Sequence, residues 1–183
     1  DIVPAQFCVQ RQIRGKWACR CCQLMVQEPA VAQVFDNALP TPGLQAHTVV
    51  SRFCDHMPYY RQEQINARSG VHTPRSTLAA WGGQTGAQLL PLYDAHRAFV
   101  LGSRVLHADE TPIGLLEPGA GKTKKAYMWA YARGAFEDMP GVVYDFCEGR
   151  GGKYPHEFLK GWTRTLVVDA YTGHDGTMSL KWR

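Results

Sequence analysis

The chain has 183 residues, of which 45% are hydrophobic and 20% are charged, and its formal net charge is +4. These values are typical of a folded soluble protein with one ordinary domain, or a small domain with appendages, and the mildly basic charge is compatible with nucleic-acid binding. The apolar runs fall far short of the roughly 20 residues of a membrane helix and no secretory signal is visible, so we expect no membrane partner. The cysteine pattern described below indicates a reducing, cytoplasmic setting.

Residues 1–40 predict a short, irregular segment that ends in a linker. The chain starts with Asp1 and not with methionine, so we expect it to begin inside a longer gene product. Alternating residues predict a strand at Phe7–Ile13, and Gly15 then predicts a turn. Prolines interrupt any regular pattern over Pro29–Pro42, which predicts the linker.

The cysteines near the N-terminus are more typical of metal ligation in a reducing compartment than of a disulfide framework. Cys19 and Cys22 form a C-x-x-C pair, with Cys21 between them. Two thiolates at this spacing can hold one side of a tetrahedral zinc ion, but a closed site needs two more ligands, and Cys8 is the only candidate nearby. We therefore expect the pair to bind zinc weakly or not at all, and the alternative is a set of free, partly buried thiols.

Residues 41–102 predict a helical region. The spacing of apolar residues and breakers predicts a first helix after Gly43, a second at Tyr59–Ala67 that ends at Gly70, and a third with Thr73 as its N-cap. Apolar residues are expected on the buried face of the first helix: Leu44, Val49, Val50 and Phe53.

A short glycine-containing turn between the second and third helices is typical of a helix-turn-helix. Arg75, Ser76 and Thr77 lie where the second helix of such a motif can contact DNA backbone or base edges. The alternative is an ordinary helical hairpin with a polar first turn. The third helix is expected to continue past Gly82 and to kink at Pro91.

From Gly102 onward the apolar period changes from helical to alternating, which predicts strands. Three strands, a short helix and a fourth strand are predicted: Val105–Leu116, Ala126–Ala132, Val142–Cys147, His156–Gly161 and Leu166–Asp169. Residues 103–183 therefore predict an α/β fold with a mixed sheet, in which the fourth strand returns beside the first. This order is the opening of a ribonuclease-H-like core.

Two of the predicted strands each carry an aspartate next to an apolar run: Asp109 in the first and Asp169 at the end of the fourth. Two neighbouring strands that each provide a carboxylate can hold Mg²⁺ or Mn²⁺ between them, since these ions prefer oxygen ligands. Strand alternation places Glu110 on the opposite face from Asp109, so we do not expect it to share the cation. The alternative is a pair of strand-end acids that cap turns.

Basic residues cluster at the tip of the first predicted hairpin. Gly119–Thr123 is similar to the end of a phosphate-binding P-loop, but Leu116 occupies the position of the first glycine and the stretch joins two strands, so we exclude nucleotide binding. Lys122, Lys124 and Lys125 are interpreted as a basic loop that contacts nucleic-acid phosphates, and the alternative is a solvated loop.

Several stretches of the sequence carry a resemblance to a known family. They are Asp1–Phe7, Arg14–Cys22, Leu39–Gly43, Tyr60–Glu63, Pro74–Leu78, Leu106–Pro112, Tyr127–Tyr131 and Val143–Phe146. On these stretches, which occur in order, the chain resembles bacterial insertion-sequence transposases of the insertion sequence 66 family. The resemblance extends to about Gly173, and the tail beyond it is expected to be unlike the family.

The resemblance implies a DDE-type catalytic core of ribonuclease-H-like fold, preceded by a partial zinc ribbon (1–40) and a helical DNA-binding region (41–102). Asp109 would be the first acid of an Asp, Asp, Glu triad and Asp169 the second, and Mg²⁺ or Mn²⁺ would support cleavage and strand transfer of double-stranded DNA. The glutamate is expected beyond residue 183 and a further cysteine pair before Asp1, so the chain is expected to be a fragment lacking both ends.

The implied partners are transposon-end DNA, target DNA, and a second copy of the chain or intact transposase, at the bacterial nucleoid. Two alternatives to an active transposase are non-catalytic. One is a DNA-binding remnant that has lost the triad, and the other is a regulatory protein that pairs with intact transposase through its sheet. Because the third acid is not assigned within the chain, we expect little or no DNA cleavage by the chain itself.

Overall fold

The computed structural model describes residues 1, 6–117 and 119–168, and the chain divides into two compact units. The first unit comprises residues 1–90 and the second comprises residues 91–183. Within the described ranges no helix combines the length and the apolar character needed to cross a membrane. The finer division of the first 102 residues into a zinc segment and a DNA-binding region stays a prediction.

A two-stranded hairpin lies near the start of the first unit. β1 (Lys16–Ala18) and β2 (Met25–Gln27) pair antiparallel. The predicted strand at Phe7–Ile13 is wrong, because residues 6–15 form no strand. Val9 and Ile13 are 97% and 80% exposed, so their alternating pattern has no surface to pack against.

Three helices follow the hairpin and contact one another: α1 (Pro42–Phe53), α2 (Tyr59–Arg68) and α3 (Arg75–Gln88). α1 begins after Thr41, whose hydroxyl oxygen accepts a hydrogen bond from the backbone N–H of Leu44 at 3.4 Å. This contact satisfies one of the amides that the first helical turn leaves without a carbonyl partner. The second helix starts at the predicted residue and ends one residue after the predicted end.

The buried face of α1 differs from the predicted one. The buried residues of this helix are all polar: Gln45, Thr48 and Ser51. Val50 and Phe53, which were expected inside, are 49% and 62% exposed. The side-chain amide of Gln62 in α2 donates to the backbone carbonyl of Thr48 at 3.3 Å. Hydrogen bonding as well as apolar contact therefore holds α1 against its neighbours.

The third helix is also shorter than predicted. Its N-cap is Pro74 and not Thr73, because Pro74 adopts an extended conformation and the helix begins after it. α3 ends at Gln88, and a separate helix, α4 (Leu90–Leu101), starts two residues later. Pro91 lies in the first turn of α4, where its missing N–H breaks no intrahelical hydrogen bond, so the chain forms two helices and not one kinked helix.

The second unit is built on a four-stranded mixed sheet with the strand order β5-β4-β3-β6. Its strands and short helix are β3 (Val105–Leu116), β4 (Thr123–Arg133), β5 (Val142–Cys147), α5 (Lys153–Phe158) and β6 (Thr165–Val167). β3, β4 and β5 are antiparallel, and β6 returns parallel to β3. This is the predicted strand order, although α5 begins three residues before its predicted start.

One face of the sheet forms the core of the second unit. Val100 from α4 and Phe158 from α5 belong to the same buried cluster as Leu106, Trp129 and Tyr131 from the strands. The rings of Tyr131 and Phe158 stack with centroids 4.3 Å apart. Successive side chains of a strand point to opposite faces, so the side chains of β3 between these core residues point to the other face of the sheet.

Candidate metal centre and nucleic-acid surface

Asp109 lies on β3, which pairs with β4 on one side and with β6 on the other. Buried and exposed side chains alternate along this part of the strand: Leu106, Ala108 and Glu110 are buried, and His107, Asp109 and Thr111 are exposed. The prediction that Asp109 and Glu110 face opposite sides is confirmed. The Oδ1 atom of Asp109 accepts a hydrogen bond from the Glu110 backbone N–H at 2.9 Å, which orients the carboxylate along its own strand.

β6 pairs with the first three residues of β3, just before Asp109 in the chain. Val105 pairs with Thr165 and His107 pairs with Val167 in parallel register. Asp169 follows two residues after Val167 in the sequence and lies outside the described residues, so its distance from Asp109 stays a prediction. His107 is exposed on the same face as Asp109, two residues before it.

A partly buried ion pair lies on the core side of β3. The Nε atom of Arg150 donates to the Oε1 atom of Glu110. The Glu110 side chain is 2% exposed and the Arg150 side chain is 39% exposed. This pair ties β3 to the segment between β5 and α5, and it holds the residue next to Asp109 in place. Sequence reasoning missed Arg150, because nothing in the local pattern connects it with a residue 40 positions earlier.

The predicted basic loop is a loop at only one of its lysines: Lys122 lies in the connection between β3 and β4, whereas Lys124 and Lys125 belong to β4. All three lysines are exposed, and together they are called the lysine loop below. The Nζ atom of Lys124 lies 3.2 Å from a carboxylate oxygen of Glu148, and the pair is solvent-exposed. The Nζ atom of Lys125 lies 5.5 Å from the ring centroid of Tyr127. An exposed pair of this kind contributes little to stability, so these charges remain available to an anion. A contact with DNA phosphates stays a prediction.

The three residues that were predicted to contact DNA form the first turn of α3. Arg75 and Ser76 are exposed, and Thr77 is half-buried. The backbone N–H of Thr77 donates to the Pro74 carbonyl oxygen at 2.9 Å, which closes the turn. Gly70, in the preceding connection, has φ of 80°, a left-handed conformation that glycine adopts without steric strain. The arrangement of helix, short turn and helix is the predicted one, and its contact with DNA stays a prediction.

Three cysteines come together at the turn of the β1–β2 hairpin. The Sγ atoms of Cys19, Cys21 and Cys22 all lie within 4.8 Å of one another, and all three residues are exposed. Hydrogen bonds from the Cys21 side chain and from the backbone amides of Cys22 and Cys21 lower the pKa of Cys19 to about 6. In the described part of the chain neither Cys8 nor a histidine joins the cluster. Thiolates are the ligands that Zn²⁺ and other soft cations prefer, so this donor set fits zinc.

Cys21 is a functional candidate that the sequence analysis left unassigned. The C-x-x-C spacing directs attention to Cys19 and Cys22, and the residue between them has no place in that pattern. The available signal was the direct adjacency of Cys21 and Cys22, which makes a third thiol in the same turn unavoidable. The proposed third ligand, Cys8, belongs to the irregular segment before β1 and is exposed.

A cleft of about 460 Å³ lies between α4, the end of β5 and α5, and sequence reasoning did not predict it. Its lining includes Tyr93, Arg97, Asp145, Cys147, Tyr154 and Phe158. Burial and the hydrogen bond to Asp145 raise the pKa of the Cys147 thiol to about 12, so the thiol is protonated at neutral pH. The guanidinium of Arg97 donates to the Phe158 carbonyl oxygen at 2.6 Å, so the main cation of the cleft already has a partner.

Comparison with protein families gives one match that covers most of the chain. A family model described as "Transposase IS66 family" matches residues 37–181. This range includes every helix and strand from α1 to β6 and extends eight residues past Gly173. The expectation that the tail beyond Gly173 is unlike the family is therefore wrong. The match begins after the cysteine cluster, so it does not cover the β1–β2 hairpin.

Three curated relatives of Sinorhizobium fredii (strain NBRC 101917 / NGR234) match almost the whole chain. The uncharacterized protein y4jD is 39% identical over 182 residues, which is 95% of this chain and 35% of the relative. The uncharacterized protein y4qI is 39% identical over 95% of this chain and 33% of its own length, and y4hP is 28% identical over 94% and 32%. The chain thus spans about a third of the length of the curated relatives it matches.

Proposed function

Because this chain belongs to the Transposase IS66 family, we propose that it provides part of the metal-dependent core of a DNA transposase. The observation that carries the proposal is the exposed Asp109 on β3, beside a parallel strand that leads toward a second aspartate. The chain spans about a third of its relatives. Cleavage and strand transfer of double-stranded DNA are therefore proposed for the whole transposase, and metal and DNA binding for this chain.

The register of the sheet supports Asp109 and Asp169 as a metal-binding pair. Val105 pairs with Thr165 and His107 with Val167, so paired residues are 60 positions apart along the chain. Asp109 and Asp169 are separated by the same 60 positions. We propose that this offset continues to the two aspartates, which would set their carboxylates on neighbouring strands. Asp109 already points to the face opposite the core, where an ion and DNA have access.

The strand order supports a ribonuclease-H-like core. Three antiparallel strands, a helix and a fourth strand parallel to the first occur in the second unit. In this arrangement β3 is an interior strand, so the main chain on both sides of it is paired for part of its length. The backbone at Asp109 pairs with Ala130 of β4, which keeps the carboxylate in one place as catalysis requires.

Mg²⁺ or Mn²⁺, when bound, would activate the attacking hydroxyl and stabilise the leaving oxygen of the phosphodiester. The Asp109 carboxylate, oriented by the Glu110 backbone N–H, would provide oxygen ligands from β3. Asp169 would provide ligands from the neighbouring strand. His107, exposed on the same face, lies where its ring can donate a hydrogen bond to a water molecule or a phosphate oxygen.

Two basic surfaces are proposed to bind DNA. The first turn of α3, with Arg75 and Ser76 exposed, follows a short turn in the order of a helix-turn-helix. The lysine loop carries exposed charges at one end of the sheet. Contacts from either surface to phosphates would position DNA without reading its sequence, whereas base contacts from α3 would supply specificity. DNA binding by the first turn of α3 and DNA binding by the lysine loop are two independent proposals.

Metal binding by the second unit is the most direct test. The melting temperature of the chain is measured with and without millimolar Mn²⁺, for the parent, for Asp109→Asn and for Asp169→Asn. Two carboxylates close together repel unless a cation neutralises them, so the parent should melt at a higher temperature with Mn²⁺. Each substitution should remove this response. Asp138→Asn, which changes an acid outside the sheet, is the matched control and should keep the response.

An unchanged metal response in Asp109→Asn would refute the assignment of Asp109. A response lost in Asp109→Asn but kept in Asp169→Asn would refute the pair and leave Asp109 with other ligands. The thiol cluster is kept out of the measurement by performing it on a background in which Cys19, Cys21 and Cys22 are replaced by serine.

A DNA-binding protein without catalysis is the second candidate, and the exposed first turn of α3 favours it. Plasmid DNA with transposon ends is incubated with the chain and Mn²⁺, and binding and strand cleavage are measured in parallel. Binding that Arg75→Ala weakens, without cleavage, would support the second candidate for this chain. Cleavage that Asp109→Asn abolishes would support catalysis by the chain itself.

A further inference from the structure

The cleft between α4, β5 and α5 has walls that hydrogen bonds hold in place. The Tyr93 hydroxyl donates to the Tyr144 carbonyl oxygen at 2.8 Å, which ties α4 to β5. The Arg97 guanidinium donates to the Phe158 carbonyl oxygen at 2.6 Å, which ties α4 to the end of α5. The cleft has a volume of about 460 Å³, within the range of sites that bind small molecules. The walls of the cleft are therefore in place before any ligand binds.

A buried tyrosine hydroxyl without a partner lies beneath this cleft. Tyr131 is 0% exposed, and its hydroxyl has no hydrogen-bond partner in the described part of the chain. Its ring stacks on the ring of Phe158, which lines the cleft. Burial raises the pKa of Tyr131, and the proximity of Asp145 and Cys147, which both line the cleft, raises it further. The hydroxyl therefore lies on the cleft side of Tyr131, and because a buried hydroxyl without a partner costs free energy, it indicates a group that binds in the cleft.

The charged residues that line the cleft favour a cation. Asp145 is half-buried and accepts a hydrogen bond from the Cys147 thiol at 3.3 Å, which is a weak donor. Asp145 belongs to none of the ion pairs among the described residues. Two exposed acids, Asp94 and Glu157, also line the cleft, against a single cation, Arg97. The lining is thus net negative at neutral pH, and its most buried carboxylate has no cationic partner.

The arrangement of these groups favours an organic cation over a metal ion. Within the described ranges, the donor atoms that lie close enough together to share one ion are those of the cysteine cluster, so the acids of the cleft do not form a set of metal ligands. The walls are aromatic at Tyr93, Tyr154 and Phe158. Aromatic walls pack against an alkyl chain and attract a cation to the faces of the rings, as the Nζ atom of Lys153 already shows, 4.8 Å from the centroid of Tyr154.

We propose that the cleft between α4, β5 and α5 binds an alkylammonium group. Its nitrogen carries several N–H donors, of which one binds the Asp145 carboxylate and another binds the hydroxyl oxygen of Tyr131. The lining side chains adjust as the group enters, because the hydroxyl is buried in the free chain. The alkyl chain packs against the aromatic walls. This site is independent of the proposed function, because it lies on the core face of the sheet and Asp109 lies on the opposite face.

A free diamine and the lysine side chain of a partner protein both present this chemistry. The second ammonium of a diamine can bind an exposed acid of the lining, Asp94 or Glu157, whereas a lysine side chain has a single ammonium. Diaminobutane should therefore bind several-fold more tightly than butylamine if the natural ligand is a free diamine. Equal binding of diaminobutane, butylamine and acetyl-lysine amide would instead assign the site to a lysine side chain. Either result supports binding of an alkylammonium group.

Isothermal titration calorimetry of the full chain at constant ionic strength tests the proposal. Diaminobutane and butylamine should bind with a Kd of about 1 mM or below, and butanol, which lacks the charge, should not bind. Asp145→Asn should weaken amine binding at least about tenfold, and Tyr131→Phe about two- to tenfold. Asp138→Asn and Tyr144→Phe are the matched controls, since both residues are exposed and lie outside the lining. Both controls should bind the amines as the parent does.

The stability of Tyr131→Phe separates a lost contact from a damaged fold. The substitution keeps the ring that stacks on Phe158 and removes a hydroxyl without a partner, so the melting temperature should not fall. Parent-like amine affinity in Asp145→Asn or in Tyr131→Phe would overturn the proposal. So would a parent chain that binds neither amine at about 10 mM, or one that binds inorganic phosphate more tightly than the amines.

Discussion

Replacement of Arg150 by alanine should destabilise the second unit more than the loss of an exposed ion pair does. The Glu110 side chain is 2% exposed, so water scarcely reaches its carboxylate, and the Nε–H of Arg150 donates to it. A carboxylate in such surroundings has lost most of its hydration, and its cation offsets part of that cost. Without the guanidinium, less of the hydration that the Glu110 carboxylate loses on folding is compensated, so the free energy of the folded state rises. The unfolded chain is unaffected.

The magnitude follows from the exposure of the two partners. Removal of one partner from a fully buried ion pair costs about 3–5 kcal/mol. Arg150 is 39% exposed and keeps part of its hydration, so we expect Arg150→Ala to lower the free energy of unfolding by about 2–4 kcal/mol. Glu110→Gln removes the buried charge but keeps an oxygen that accepts from Arg150, so its cost should be about 1–2 kcal/mol.

Urea unfolding, followed by circular dichroism and tryptophan fluorescence, measures these costs. The double variant should show a coupling energy of about 1 kcal/mol or more between the two positions. Lys124→Ala is the matched control, because its pair with Glu148 is 48% and 65% exposed and should contribute less than about 1 kcal/mol. If Arg150→Ala changes stability no more than Lys124→Ala does, the partly buried pair does not hold β3 in place and the reasoning is wrong.

Three further predictions concern pH, capping and DNA. Hydrogen bonds from the Arg104 backbone N–H, which has the larger effect, and from the Ser103 hydroxyl lower the pKa of Glu137. The ionised Glu137 carboxylate therefore stabilises the folded chain at neutral pH, and this stabilisation is lost as the pH falls through the lowered pKa. Glu137→Gln should lower the melting temperature at neutral pH, with a difference that shrinks in acid; a constant difference would contradict this. Thr41→Ala should lower the free energy of unfolding, measured in urea, by about 0.5 kcal/mol. This is the low end for an N-cap residue, because the hydrogen bond that Thr41 accepts is 3.4 Å long. A loss above about 2 kcal/mol would show that Thr41 has a further role. Alanine at all three positions of the lysine loop should reduce the slope of log K against log salt by up to about 0.9 for each DNA phosphate that the loop no longer neutralises; an unchanged slope in fluorescence anisotropy would show that the loop does not bind DNA.

The sequence by itself determined the strands of the second unit and the face of each side chain on β3. β3 and β5 begin and end where the alternating pattern predicts. Asp109 and Glu110 face opposite sides because successive side chains of a strand always do, and this holds whatever the strand packs against. The family resemblance was also readable in the sequence, since it depends on residue identity and order and not on contacts.

The helical region shows where local pattern fails. A hydropathy pattern assumes that apolar residues are buried, but α1 buries a polar face, and the Gln62 amide hydrogen-bonds to the carbonyl of Thr48 there. Gly82 weakens the third helix by its intrinsic propensity, yet a Cβ at that position would collide with the Tyr59 hydroxyl, so the glycine leaves room for the Tyr59 side chain of α2. Both facts depend on neighbouring helices, which no window of sequence contains.

Only the tertiary structure decided which distant residues meet. Arg150 reaches Glu110 across 40 positions. The predicted neighbours β3 and β6 pair in a register that places Val105 opposite Thr165 and His107 opposite Val167. The physical reason is the same in each case: periodicity reports the direction of a side chain relative to its own backbone, whereas a site depends on the distance between backbones, which the packing of the whole unit sets.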